Sequence, residues 1–184
     1  MDQVAALCRA YERQLSIPWE TAVAGPQRVW LAVYDPKVER RLRARVEEFA
    51  ISTKKAGFKW RELDLTTAFA EWMNHHEYRS SYFEQPDVLE PALADFQETV
   101  AGQVRSSLSG SDVDDKTVVA IIGVGALFPM ARASKLIEDA APSIKGRLLV
   151  FFPGENDGPN YRLLNARDGW NYLAIAITAD SGEA

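Results

Sequence analysis

The chain has 184 residues, 47% of them hydrophobic and 10% aromatic, with 21 Lys and Arg against 26 Asp and Glu for a net charge of −5. That is the make-up of one globular domain with a packed core, and it disfavours sequence-independent nucleic-acid binding, which draws its affinity from Lys and Arg on phosphates. A single cysteine, Cys8, excludes an intramolecular disulfide and every zinc site built on paired cysteines.

Met1 to Ser16 is interrupted by Asp2, Arg9, Glu12 and Arg13, unlike the apolar stretch of a signal peptide, and no run approaches the roughly 18 apolar residues of a membrane span. With no address tag and an unpaired cysteine, a cytoplasmic protein is expected. Val4, Leu7, Tyr11 and Leu15 are spaced as one helix face before Pro18, which predicts an amino-terminal docking helix. Residues 28–34 (RVWLAVY) form a strand apolar on both faces, the pattern of a buried parallel sheet. Asp35 then caps a helix with Pro36 in its first turn and Val38, Leu42, Val46 and Phe49 as its stripe, ended by Gly57. The strand expected at 58–65 carries Lys59, Arg61 and Glu62 and so belongs at a sheet edge. A short helix follows at 66–77, and Pro86 and Pro91 mark a turn or helix start before a longer stripe through Leu89, Leu93, Phe96, Val100, Val104 and Leu108. Residues 117–122 (TVVAII), 147–152 (RLLVFF) and 172–178 (YLAIAIT) complete five strands, with a helix at 133–141. The expected fold is a single α/β domain over 1–184, with a mainly parallel five-stranded sheet flanked by helices. It divides into an amino-terminal helix and linker at 1–27, a core at 28–178 and a tail at 179–184.

Ligands of open parallel sheets collect at the carboxyl ends of the strands. There this chain offers Asp35, Asp64, Gly123, Gly125 and Glu155, a set able to hold a metal or a polar ligand, although the same residues also serve as helix caps and turns. Gly123-Val124-Gly125 opens like a dinucleotide fingerprint but has Phe128 in place of the third glycine, and no Gly-Lys-Ser/Thr follows any strand. His75 and His76, the only histidines, continue the apolar face of Phe69, Trp72 and Met73, and no Gly-x-Ser-x-Gly elbow supplies a nucleophile. No catalytic residue, metal or cofactor is therefore expected. Lys37, Arg40, Arg41, Arg43 and Arg45 stand on a helix where Glu39 with Arg43 and Arg43 with Glu47 are i,i+4 pairs, the charging of an exposed helix face more than of a DNA grip.

Residues 153–171 hold no long element, and loops of that length tend to be functional. Two turn signals, Asn156-Asp157-Gly158 and Asp168-Gly169, frame a short strand around Tyr161-Arg162-Leu163-Leu164. Arg162, Arg167, Trp170 and Tyr172 are residue types that anchor protein interfaces, and they are the partner-binding candidates.

The segment Phe151-Phe152-Pro153-Gly154-Glu155, followed by Tyr161-Arg162-Leu163-Leu164-Asn165-Ala166-Arg167-Asp168-Gly169-Trp170-Asn171-Tyr172-Leu173, resembles the BrxB family of bacteriophage exclusion (BREX) defence systems. Gly123 to Phe128 with Arg132 and Ser134, and the first strand with its arginine-rich helix, fit the same pattern. The resemblance implies a small cytoplasmic component of an anti-phage system. Its neighbours would be a DNA methyltransferase, a large ATPase and PglZ, a protein with an alkaline-phosphatase-like domain. It carries no catalytic residues over. The expected function is a non-catalytic assembly or adaptor subunit that binds another BREX protein, PglZ first among them. A metal- or nucleotide-dependent activity at the strand ends, and DNA contact through the arginine-rich helix, are the alternatives.

Overall fold

A computed structural model of the chain describes residues 2–181, so Met1 and residues 182–184 of the expected tail lie outside the described residues. The helices are α1 (Gln3–Ser16), α2 (Glu39–Arg43), α3 (Val46–Lys55), α4 (Ala68–His75), α5 (Arg79–Glu84), α6 (Leu93–Ser109) and α7 (Ala133–Ala140). The strands are β1 (Val29–Tyr34), β2 (Lys59–Asp64), β3 (Thr117–Ile122), β4 (Arg147–Asp157), β5 (Asn160–Leu163), β6 (Trp170–Asn171) and β7 (Ile175–Ile177). None of the described helices is long and apolar enough to cross a membrane.

Alternation along the strands explains why whole runs are apolar. In β1, Val29, Leu31 and Val33 join one core with Phe96, Val100 and Val104 of α6 and Leu136 and Ile137 of α7. Trp30, Ala32 and Tyr34 face the other core, with Val4, Leu7, Tyr11 and Leu15 of α1 and Val46 and Phe49 of α3. A strand covered on both faces can spare no polar position.

The sheet is mixed and has seven strands, which corrects the expected five-stranded, mainly parallel one. Its path β2-β3-β4-β1-β7 is parallel throughout, but β5 pairs antiparallel with β4, and β6 with β5. The reason lies at Pro153, which reads as a stop because proline donates nothing to a ladder. Here it falls beyond Val150, the last β4 residue paired with β3, and its carbonyl accepts from the Leu164 N–H at 2.8 Å. Strand β4 therefore continues to Asp157, and the turn at Gly158 (φ 54°) folds β5 back along it. The expected strand at 172–178 is shorter in the structure. Trp170–Asn171 completes the hairpin layer, the Tyr172 N–H bonds the Pro159 carbonyl at 2.9 Å, and only Ile175–Ile177 reaches β1.

Two further differences are local. The helix expected after Asp35 is broken into a 3-10 turn at Pro36–Val38, then α2, then α3. At the break, Arg45 leaves helical geometry (φ −123°, ψ 10°) and its guanidinium bonds Glu48 at 2.7 and 2.8 Å and Asp2 at 2.5 Å. The polar strand β2 sits at the sheet edge, where Lys59 pairs with Asp114 and Arg61 with Asp112, each at 2.5 Å.

Candidate partner-binding site

The two best-marked stretches of sequence, 123–134 and 161–172, meet across β4. Between them lies a cleft of about 380 Å³. Its floor is Phe152 and Tyr161, both buried, with Leu163 beside them. Tyr161 is fixed by the bond from its hydroxyl to the Ala174 carbonyl at 3.2 Å, and burial pushes its phenol pKa up.

Trp170 forms one wall and is held on three sides. Its ring stacks on Tyr172 at 4.5 Å and 19°, it tilts against Tyr161 at 5.9 Å, and its indole N–H donates to Glu138 of α7 at 2.7 Å. A large amphipathic side chain already locked in place loses little entropy when something binds it. Phe128 forms another wall and is 38% exposed although it touches the cleft.

Arg132, Ser134, Arg167 and Asp168 complete the lining. The Arg132 backbone is pinned by Gln97, which accepts from its N–H at 2.7 Å. Among the described residues, the guanidinium groups of Arg132 and Arg167 make no ion pair or side-chain hydrogen bond, whereas Arg43, Arg45, Arg61, Arg105 and Arg162 each have an acidic partner. The cleft thus combines an aromatic floor with two exposed guanidinium groups that make no ion pair, beside the Asp168 carboxylate. No histidine is among the described residues that line it.

The four partner-binding candidates are separated by the fold. Arg167 and Trp170 line this cleft. Arg162, one residue from Tyr161 on a strand, points to the opposite side and pairs with Glu155 across the hairpin at 3.1 Å. Tyr172 is buried beneath Trp170, its hydroxyl has no hydrogen-bond partner among the described residues, and burial, then the nearby Glu138 carboxylate, raises its pKa.

The five ligand candidates do not converge on one point. Asp64 and Gly123 touch at the ends of β2 and β3. Asp64 accepts from the Thr66 N–H at 2.9 Å and from its hydroxyl, and Arg43 lies 3.5 Å from its other oxygen. Partial burial pushes the Asp64 carboxyl up, but these donors outweigh it and hold the pKa below the usual value. Gly123 has φ +85°, and a Cβ there would stand 2.6 Å from the Thr66 nitrogen, so only glycine fits. Gly125 packs under Pro153, where a Cβ would be 3.0 Å from the ring. Asp35 and Glu155 line a separate, more open cleft of about 830 Å³. Asp35 spends its carboxylate capping the Lys37 N–H at 2.9 Å, and Glu155 spends its own on Arg162. Among the described residues, no group of three or more His, Cys, Asp or Glu could hold a metal ion.

Three of the four arginines of the arginine-rich segment have acidic neighbours, and Arg40 makes no ion pair among the described residues. Arg43 bonds Glu39 at 2.7 Å, Arg45 bonds Glu48 and Asp2, and Arg41 lies 4.0 Å from Asp2. Sequence reading passed over Phe128, Glu138 and Phe152 as site residues. Phe128 belongs to no periodic element, and only its exposure beside the cleft marks it.

A family model described as BREX protein BrxB matches residues 63–177, more than half of the chain and every residue that lines the cleft. No curated protein and no solved structure matches the chain.

Proposed function

This chain belongs to the BrxB family and is therefore a BREX-system component, and on that premise we propose that it works as a non-catalytic assembly or adaptor subunit that grips another protein of the system through the aromatic cleft. The observation that carries this reading is the pairing of a preformed aromatic pocket with two exposed arginines that make no ion pair among the described residues. Such a site suits an apolar side chain flanked by a carboxylate, because each half satisfies what the cleft leaves open. The family resemblance makes PglZ the first partner to try, in the cytoplasm. Nucleotide or metal chemistry is less well supported, because the carboxylates at the strand ends are engaged by caps and arginines.

The test is co-purification with each of the other BREX proteins produced in the same host. Arg132→Ala with Arg167→Ala should leave the melting temperature within about 2 °C of the parent, because exposed side chains free of partners contribute little to stability. It should weaken the complex by at least about 30-fold, the effect of losing an interface anchor of about 2 kcal/mol. Arg162→Ala, on the other side of the hairpin, should bind normally. Full binding by the double variant would refute the cleft as the interface, and loss of binding by Arg162→Ala alone would move the interface to the Glu155 side.

A further inference from the structure

Between β2 and β3 the chain makes an excursion that contributes nothing to either core. From Glu77 to Ala92 no residue is buried, through the whole of α5 and the 3-10 turn Pro86–Ala92. The stretch is nonetheless rich in large apolar groups. Phe83 is 73% exposed, Tyr78 57% and Val88 43%. It is tied to the body of the protein by His76, whose ring lies 4.8 Å from Trp72, 5.0 Å from Tyr82 and 6.1 Å from Tyr78. Tyr82 thus serves as the inner contact, and Phe83, about 100° further around the helix, points away. Between residues 78 and 88 the chain thus presents three large apolar side chains that its own cores do not use, more than the isolated surface residues a folded protein ordinarily shows.

The charges around this patch are mostly negative. Glu77, Glu84, Asp87 and Glu90 make no ion pair or side-chain hydrogen bond among the described residues. The only cation in the stretch, Arg79, is held by Asn74, donating to its backbone carbonyl at 2.6 Å and its side-chain oxygen at 3.2 Å. We infer that residues 77–92 form a second docking surface, distinct from the aromatic cleft, and that it receives a protein partner presenting lysines or arginines around an apolar contact. Charge decides the class of occupant. Nucleic acid and anionic lipid would be repelled by the four carboxylates, and a second copy meeting this face with its own would bring eight of them together. A cationic protein surface gains both Phe83 and the carboxylates.

The experiment uses the full chain, fluorophore-labelled, titrated in anisotropy with each of the other BREX proteins of the same system, purified singly. One of them should bind, more weakly as salt is raised. Tyr78→Ser with Phe83→Ser should lower that affinity at least about tenfold, and Glu84→Lys with Asp87→Lys and Glu90→Lys should do the same. Both variants should melt with the parent, since neither alters a buried residue. Neither should copy the effect of the Arg132 and Arg167 variant, so failure here and failure of the cleft are read separately. The inference is overturned if no component binds, if either variant binds as the parent does, or if sedimentation shows that Phe83→Ser dissociates a self-associated chain.

Discussion

Gly123→Ala tests whether the acidic end of β2 is a structural joint. The added methyl would stand 2.6 Å from both the nitrogen and the hydroxyl of Thr66 and 3.0 Å from an Asp64 carboxylate oxygen, in a backbone conformation of φ +85°. The left-handed conformation alone costs a non-glycine residue about 1–2 kcal/mol. Relieving the contacts pushes Thr66 off Asp64, and losing the two turn hydrogen bonds that Asp64 accepts removes about 1–2 kcal/mol more. The total of roughly 2–4 kcal/mol should lower the melting temperature by about 4–16 °C in a chain of this length. Urea unfolding should show a lower midpoint with an unchanged slope. Thr66→Ala removes one of the two close contacts, so in the double variant the two losses should sum to less than their separate values. A Gly123→Ala protein melting within 2 °C of the parent would refute the reasoning and free Asp64 to be something other than a turn acceptor.

Two other outcomes follow from the same geometry. Arg40→Gln should change stability by less than about 0.5 kcal/mol, whereas Arg43→Gln, which loses contacts to Glu39, Asp64 and Thr66, should cost about 1–2 kcal/mol in chemical denaturation; equal effects would count against the joint. The Asp114 carboxyl is lowered to about 2 by its bond from Lys59, then by Thr117 and the Lys116 N–H, and Asp64 is lowered too. The stability that these groups supply is fully present above the ordinary carboxylate range near pH 4 and is lost as pH falls through their folded-state values, so the melting temperature should drop from about pH 4 to pH 2. Asp114→Asn should flatten that drop, and an unchanged acid profile would contradict the assignment.

What could be read in advance depended on whether burial was set locally. β1 and β3 were plain because both faces of each are covered, and α6 and α7 because each lays one stripe on the sheet. The break between α2 and α3 carries no glycine or proline and is fixed by Arg45 reaching Asp2, 43 residues away in sequence, so no local pattern betrays it. Helix α5 buries nothing, and periodicity cannot announce a helix with no core-facing stripe. Of the candidate site, Arg167 and Trp170 were legible by residue type. The face that Arg162 takes depends on the hairpin register in which the short strand expected between the two turns pairs with β4 beyond Pro153, and residue type does not give that register.

That hairpin also explains why the chemistry at the sheet rim and the binding chemistry lie apart. Helices begin where parallel strands end, so carboxylates collect there as caps, and in this chain Asp35, Asp64 and Glu155 are each already satisfied. Arg132 and Arg167 lie on the far side of the hairpin from Glu155, beyond the reach of that neutralisation, although the chain as a whole is acidic. Guanidinium groups that make no ion pair beside an aromatic floor favour a counter-charge from outside the molecule, just as the carboxylates around Phe83 favour cations. The two surfaces ask for opposite charge, so one partner patch cannot serve both. A subunit that joins two different surfaces should then lose one contact at a time: reversing charge at Arg167 should spare whatever seats on Phe83, and reversing Glu84 should spare whatever seats in the cleft.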